Sequence, residues 1–178
     1  MNMNKVEIEY VKQSNAILKY YTDMSDTKPD ICCPVYVGRN GVGKMREGDY
    51  KTPSGVFHFT RAFGFVNSPE TSLEYTKITE KHYWCTDSNS FYYNQLINID
   101  EIELPFKSGE HLAEFPDAYR YALAIDYNLE NEPNVGSAIF FHCKVPKHTY
   151  TAGCVAIDGE VMRELFKVCD NTTTIWIH

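Results

Sequence analysis

A chain of 178 residues is about one domain long, enough to bury a core without disulfide staples. Hydrophobic residues at 43% and charged residues at 23% exclude disordered and collagen-like classes. The formal charge of −7, from 17 Lys+Arg against 24 Asp+Glu, repels phosphate backbones and argues against nucleic acid as a partner.

The N-terminal stretch MNMNKVEIEYVKQSNAILKYY lacks the apolar run of a signal peptide, because Glu7, Glu9, Lys12 and Gln13 interrupt it. No segment reaches the roughly 18 apolar residues of a membrane span. Val6–Val11 alternates at period 2 and predicts a strand; Ala16–Tyr21 predicts a second, with Ser14-Asn15 as the turn between them. Ile31–Gly38 is a short apolar run, and Pro34 places it at an edge or a bulge. Gly38–Gly55, rich in Gly, charge and turn residues, reads as a long exposed loop, followed by a strand over Gly55–Phe65. NSPETSLEYTKI reads as a loop leading to a strand, and His82–Ile97 as polar-aromatic and irregular. Glu110–Asn128 holds a short helical stretch, interrupted near Pro116, and then the apolar run Tyr121–Ile125.

The last third is the most regular. Gly136–His142 is a buried-type strand, KVPKHTYT a loop, and Ala152–Ile157 a further strand. Asp158 N-caps a helix whose apolar face carries Val161, Met162, Leu165, Phe166 and Cys169. Asp170-Asn171 ends the helix, and Thr172–His178 closes the chain as a strand. The fold expected is mainly β, a single sandwich or barrel domain over 1–178 with one helix near its C-terminal end.

The six cysteines, Cys32, Cys33, Cys85, Cys143, Cys154 and Cys169, have no tight repeated spacing, so most read as small buried hydrophobes. One stands apart. Cys154 follows Gly153 at the start of a strand, and His142 ends the strand before it; a strand–loop–strand returns the chain beside itself. A nucleophilic thiol needs such a base, partial exposure and backbone donors for an oxyanion. The same stretch offers His142, Cys143, His148 and Cys154 as zinc ligands, but neighbours on a strand point to opposite faces, so one tetrahedral centre cannot easily take both His142 and Cys143. No metal or other cofactor is therefore expected. Trp84 and the Tyr92-Tyr93-Asn94 cluster are either ordinary packing or the wall of a groove for an extended ligand.

FFHCKVPKHTYTAGCVAI resembles the His…(Ser/Thr)-x-Gly-Cys signature of the YkuD-type L,D-transpeptidase catalytic domain, with Thr151, Gly153 and Cys154 in the signature places. VGRNGVGKMREGDYKTPSGVFHF, YWCTDSNSFYYNQLI and GEHLAEFPDAYRYALAIDYN resemble further blocks of that family in the same order, so the similarity runs from about residue 35 to 178. The resemblance implies a β-rich YkuD fold and a cysteine acyltransferase acting on peptidoglycan stem peptides. Cys154 would be the nucleophile and His142 the base, with backbone N–H groups around Gly153 and Cys154 as the oxyanion hole. A tetrapeptide stem would be acylated through its third residue, usually a diamino acid, with release of D-Ala. An amine acceptor then gives a cross-link, or water gives a tripeptide, which would make the enzyme an L,D-carboxypeptidase. Carbapenem-type β-lactams would trap the cysteine.

Two positions depart from the family's pattern. Ala156 stands where many members carry Arg, and Cys143 where Gly often follows the histidine. Arg39, Arg46, Arg61 and Lys147 are candidates to steady the donor in place of the missing Arg, and Arg39, Trp84, Tyr93, Asn94 and Thr151 form the expected substrate-binding set. The substrate class implies an extracytoplasmic setting, in the cell wall or periplasm, although no signal is visible. An antibacterial effector, a recycling enzyme and an inert wall-binding module stay open, as does the oligomeric state.

Overall fold

The computed structural model describes residues 4–67 and 69–178; the expected domain thus includes four positions outside the described residues, and the NSPETSLEYTKI segment one, Ser68. The strands, in chain order, are β1 (Lys5–Lys12), β2 (Asn15–Tyr21), β3 (Ile31–Tyr36), β4 (Gly55–Gly64), β5 (Tyr75–Lys77), β6 (His82–Cys85), β7 (Leu96–Asn98), β8 (Gly109–His111), β9 (Tyr121–Ile125), β10 (Phe140–Cys143), β11 (Val155–Ile157) and β12 (Thr174–Ile177). The helix α1 spans Gly159–Val168.

Eight strands close into a ring in the order β12-β1-β2-β3-β11-β10-β9-β4, sealed by pairing of Gly55–His58 with Thr174–Ile177. β5 extends the sheet beside the far half of β4. Closure removes the free edges that an open sheet would expose. Val6 and Ile8, Ile175 and Ile177 alternate inward as period 2 requires, and meet Leu18, Phe59, Leu123, Phe141 and Val155 in one core. Pro34 sits where its strand is paired on one side only: β3 pairs with β2 along its length but with β11 at a single position, Tyr36 opposite Ala156. Asp158 caps α1 by accepting from the Glu160 N–H at 3.1 Å, and Met162, Leu165 and Phe166 enter the barrel core.

The other face of β9, β10 and β11 carries a second core. Phe140, Ala122, Ala124 and Cys154 pack there with Phe63, Trp84, Leu112 and Tyr119. Part of this layer comes from a three-stranded sheet, β7-β6-β8, of which β6 and most of β7 fall in the His82–Ile97 stretch that reads from sequence as irregular. Strands of three or four residues are too short for a period to register, and their pairing partners lie up to about 30 residues apart in sequence. The expected helical stretch after Glu110 is instead β8 followed by one 3₁₀ turn, Leu112–Glu114. The strand expected from Gly136 begins only at Phe140, because Gly136 (φ +137°) and Ala138 (φ +56°) turn the backbone out of extended geometry.

The long loop before β4 is clasped from within. The Asp49 carboxylate accepts from Lys44 Nζ at 2.9 Å and from the N–H groups of Met45, Arg46 and Lys51 at 2.8, 3.1 and 3.0 Å. Burial alone would raise the Asp49 carboxyl, but these donors prevail and hold it at about 2. A depressed carboxyl adds stability that is fully present above its unfolded value and is lost as pH falls through the folded one. Asp49→Asn is therefore expected to lower unfolding free energy at pH 7 by about 2 kcal/mol. The deficit should shrink between about pH 4 and pH 2. Urea melts across that range provide the check, and an unchanged midpoint at pH 7 would disprove the clasp.

Candidate active site

β10 and β11 run parallel, with Phe141 opposite Val155 and His142 opposite Ala156. Paired residues share a face, so the barrel core takes Phe141, Cys143, Val155 and Ile157, while Phe140, His142, Cys154 and Ala156 face outward. The outward set opens into a cavity of about 860 Å³, closed on other sides by the clasped loop, the β8 turn and the loop after β10. His142 and Cys154 both line it. Cys143 points away and offers its thiol to the Tyr121 carbonyl at 3.8 Å, so the four possible zinc ligands are not gathered around one point.

The backbone fixes both side chains. The His142 Nδ1 lies 2.9 Å from the Cys143 carbonyl oxygen. A carbonyl only accepts, so Nδ1 carries the proton and Nε2 is left as the basic nitrogen toward the cavity. The edge of Tyr119 meets the imidazole at 5.5 Å between centroids. The Cys154 thiol lies in a slot of main chain: it donates to the Ala138 carbonyl at 3.3 Å and accepts from the Phe140 N–H at 3.3 Å. Burial, reinforced by the negative charge of Glu110, pushes the thiol up to about 12 against the pull of that N–H and of Lys44. Burial also lowers His142 below its ordinary value, opposed by the Cys143 carbonyl. Thiol and imidazole are thus both neutral at pH 7, and no hydrogen bond joins them among the described residues.

The turn into Cys154 depends on two small residues. The Thr151 hydroxyl donates to the Cys154 carbonyl at 2.6 Å and accepts from the Gly153 N–H at 3.1 Å. A Cβ on Gly153 would lie 3.0 Å from the Lys51 carbonyl oxygen, so only glycine lets this turn pass against the loop. The expected pair of N–H donors around Gly153 and Cys154 is therefore reduced. Thr151 occupies the Gly153 N–H, and the Cys154 N–H is left without a protein acceptor among the described residues.

Over residues 7–177 the chain matches the family described as YkuD: L,D-transpeptidase catalytic domain. The chain belongs to this family. Among solved structures, Bd1075 of Bdellovibrio bacteriovorus superposes with a TM-score of 0.51 at 16% identity, over 99% of this chain and 48% of its own. The helical cell shape determining protein Pgp2 of Campylobacter jejuni gives 0.50 at 14% identity, over 99% and 47%. The catalytic domain of the E. faecium L,D-transpeptidase gives 0.48 at 17%, over 100% and 98%. At these identities the likeness concerns the fold, and this chain spans about half the length of the first two proteins. No curated protein matches it.

The residues expected to bind substrate divide into two groups. Thr151 lines the cavity, as do Lys147 and His148. Arg39 stands behind the wall, with its guanidinium over the rings of Tyr50 and Tyr150 at 5.2 and 5.8 Å, and those rings line the cavity. The Tyr93 hydroxyl donates to Glu47 at 2.6 Å and accepts from the Gly136 N–H at 3.1 Å. The Asn94 side chain is engaged on all sides: its oxygen accepts from Trp84 Nε1 and the Ala138 N–H, both at 3.0 Å, and its amide donates to the Tyr127 and Asn128 carbonyls. Trp84 and Asn94 border a separate cleft of about 370 Å³, together with Arg61. Asn94 instead ties down Ala138, the residue whose carbonyl receives the thiol. Of the cations weighed as replacements for the missing Arg, Lys147 alone lines the main cavity, and Ala156 lies in its floor.

Sequence reasoning passed over Glu110 and Tyr119, which line the cavity beside His142 and Cys154. Tyr119 O–H donates to a Glu110 carboxylate oxygen. Both lie in the block GEHLAEFPDAYRY that carried part of the family resemblance, the one signal that could have singled them out.

Proposed function

We propose that this domain is a peptidoglycan L,D-transpeptidase in which Cys154 is the nucleophile and His142 the acid–base. The observation that carries the reading is the meeting of a thiol and the free Nε2 of an Nδ1-anchored imidazole in one cavity large enough for a peptide. The thiol turns from the Ala138 carbonyl toward Nε2, loses its proton to His142, and its sulfur attacks the carbonyl of the third stem residue. The tetrahedral oxyanion faces the Cys154 N–H. Collapse breaks the bond to D-Ala, whose nitrogen takes the proton from His142 and leaves. An acceptor amine then attacks the thioester, passes its proton to His142, and the thiol is restored as the cross-link forms. A peptidoglycan substrate places this work outside the cytoplasmic membrane.

The test is incubation of the purified protein with tetrapeptide muropeptides, following D-Ala and product masses. Cross-linked product supports the reading. Tripeptide alone, at every acceptor concentration, would make the domain an L,D-carboxypeptidase instead. A second expectation follows from the same chemistry. A carbapenem should form one covalent adduct, mapped by peptide mass to Cys154. An adduct on Cys143 or Cys85, with Cys154 unmodified, would overturn the assignment.

A further inference from the structure

The proposed mechanism makes no use of Glu110, whose carboxylate opens into the cavity between Tyr119 and the thiol. One of its oxygens accepts from Tyr119 O–H, and the other has no hydrogen-bond partner among the described residues. Among the described residues no cation pairs with it, Lys44 being held by Asp49, and burial raises the Glu110 carboxyl above its ordinary value, opposed by the Tyr119 hydroxyl. A half-buried carboxylate with one oxygen fixed and the other free is poised to accept from a positive group brought by the ligand. The fixed oxygen matters, because Tyr119 is itself buried and packed against His142, so the free oxygen is held at a set position relative to the reacting pair.

We propose that Glu110 is a specificity-determining residue that receives a primary ammonium group of the peptide substrate. This rests on the acyl-transfer reading above and adds to it the charge the substrate must carry. A diamino third residue supplies such a group in the donor, and the attacking amine supplies it in the acceptor. Binding of that ammonium also offsets the negative charge beside Cys154, so the correct substrate eases ionisation of the thiol that it is to acylate.

The experiment compares a synthetic stem tetrapeptide bearing a free side-chain ammonium on its third residue with its side-chain N-acetyl form. Acyl-enzyme formation is followed by rapid quench and intact-protein mass, and the ratio of cross-linked to hydrolysed product is measured with a tripeptide acceptor. If the donor's ammonium is the one received, the wild type acylates faster with the free form by at least about tenfold, and Glu110→Gln loses most of that ratio. If it is the acceptor's, both donors acylate alike and Glu110→Gln lowers the cross-link to hydrolysis ratio about tenfold. Either result supports the proposal, and unchanged ratios in Glu110→Gln overturn it. Tyr119→Phe and Glu110→Asp separate recognition from packing. Both keep a carboxylate, though less well placed, and should keep part of the ammonium preference that Glu110→Gln loses, whereas a merely structural Glu110 would lower rates in all three variants with ratios unchanged. Calorimetric binding of the tripeptide amine reads the carboxylate without turnover. A wild type that forms no acyl-enzyme but binds this amine at least tenfold more tightly than Glu110→Gln would sink the acyl-transfer reading and leave the ammonium site standing.

Discussion

Replacing Cys154 by alanine is expected to reduce D-Ala release by on the order of 10⁴-fold or more, since a nucleophile has no substitute in a two-step acyl transfer. The protein should remain folded. The change removes one sulfur that donates to the Ala138 carbonyl and accepts from the Phe140 N–H, leaving two polar groups short of a partner. That costs about 1–3 kcal/mol, visible as a modest drop in melting temperature. Cys143→Ala is the matched control. Its sulfur lies on the barrel side of β10, so the variant should lose some stability and keep most of its turnover. The carbonyl that anchors His142 belongs to the main chain of residue 143 and survives the substitution. Full turnover in a folded Cys154→Ala protein would remove Cys154 from the mechanism.

His142→Gln is expected to slow acylation by about 10²–10⁴-fold at pH 7 and to change how the rate depends on pH. With imidazole present, the rate should rise as pH climbs through the lowered pKa of His142, below the ordinary 6.5, and then stay flat through neutral pH. Without it, ionisation of the thiol must come from solvent. With the thiol pushed up to about 12, the rate should keep climbing tenfold for each pH unit through pH 10. Carbapenem acylation timed by intact-protein mass between pH 6 and pH 10 distinguishes the two profiles. A flat profile in the glutamine variant would mean that another group serves as base.

That His142 and Cys154 face one cavity was legible because it rests on the alternation of faces along a strand. His142 and Cys143 had to face opposite ways, and the parallel pairing of β10 with β11 then put Cys154 on the His142 side. β1, β2, β4 and α1 were legible because each is long enough to show its period, and the shorter β10, β11 and β12 showed as apolar runs. The β7-β6-β8 sheet was not, because its strands are three or four residues long and owe their form to partners distant in sequence. Asn94 read as a possible ligand contact, but a side-chain amide serves equally well as a brace, and only the fold shows its oxygen spent on Trp84 and Ala138. Glu110 carried no pattern of its own, and its partner Tyr119 lies on the far side of a 3₁₀ turn. The left-handed Ala138 is equally silent in sequence, being alanine where glycine would have signalled the turn.

The slot that holds the Cys154 thiol also bears on survival in oxidising surroundings. Peroxides and disulfides react with thiolates, and reaction needs access as well as charge. A sulfur kept protonated between the Ala138 carbonyl and the Phe140 N–H lines the cavity but lacks the charge, while Cys32 stands exposed on β3. Between encounters with substrate the proposed nucleophile thus rests as the less reactive thiol, and oxidation is expected first at Cys32, a cysteine with no part in the proposed chemistry.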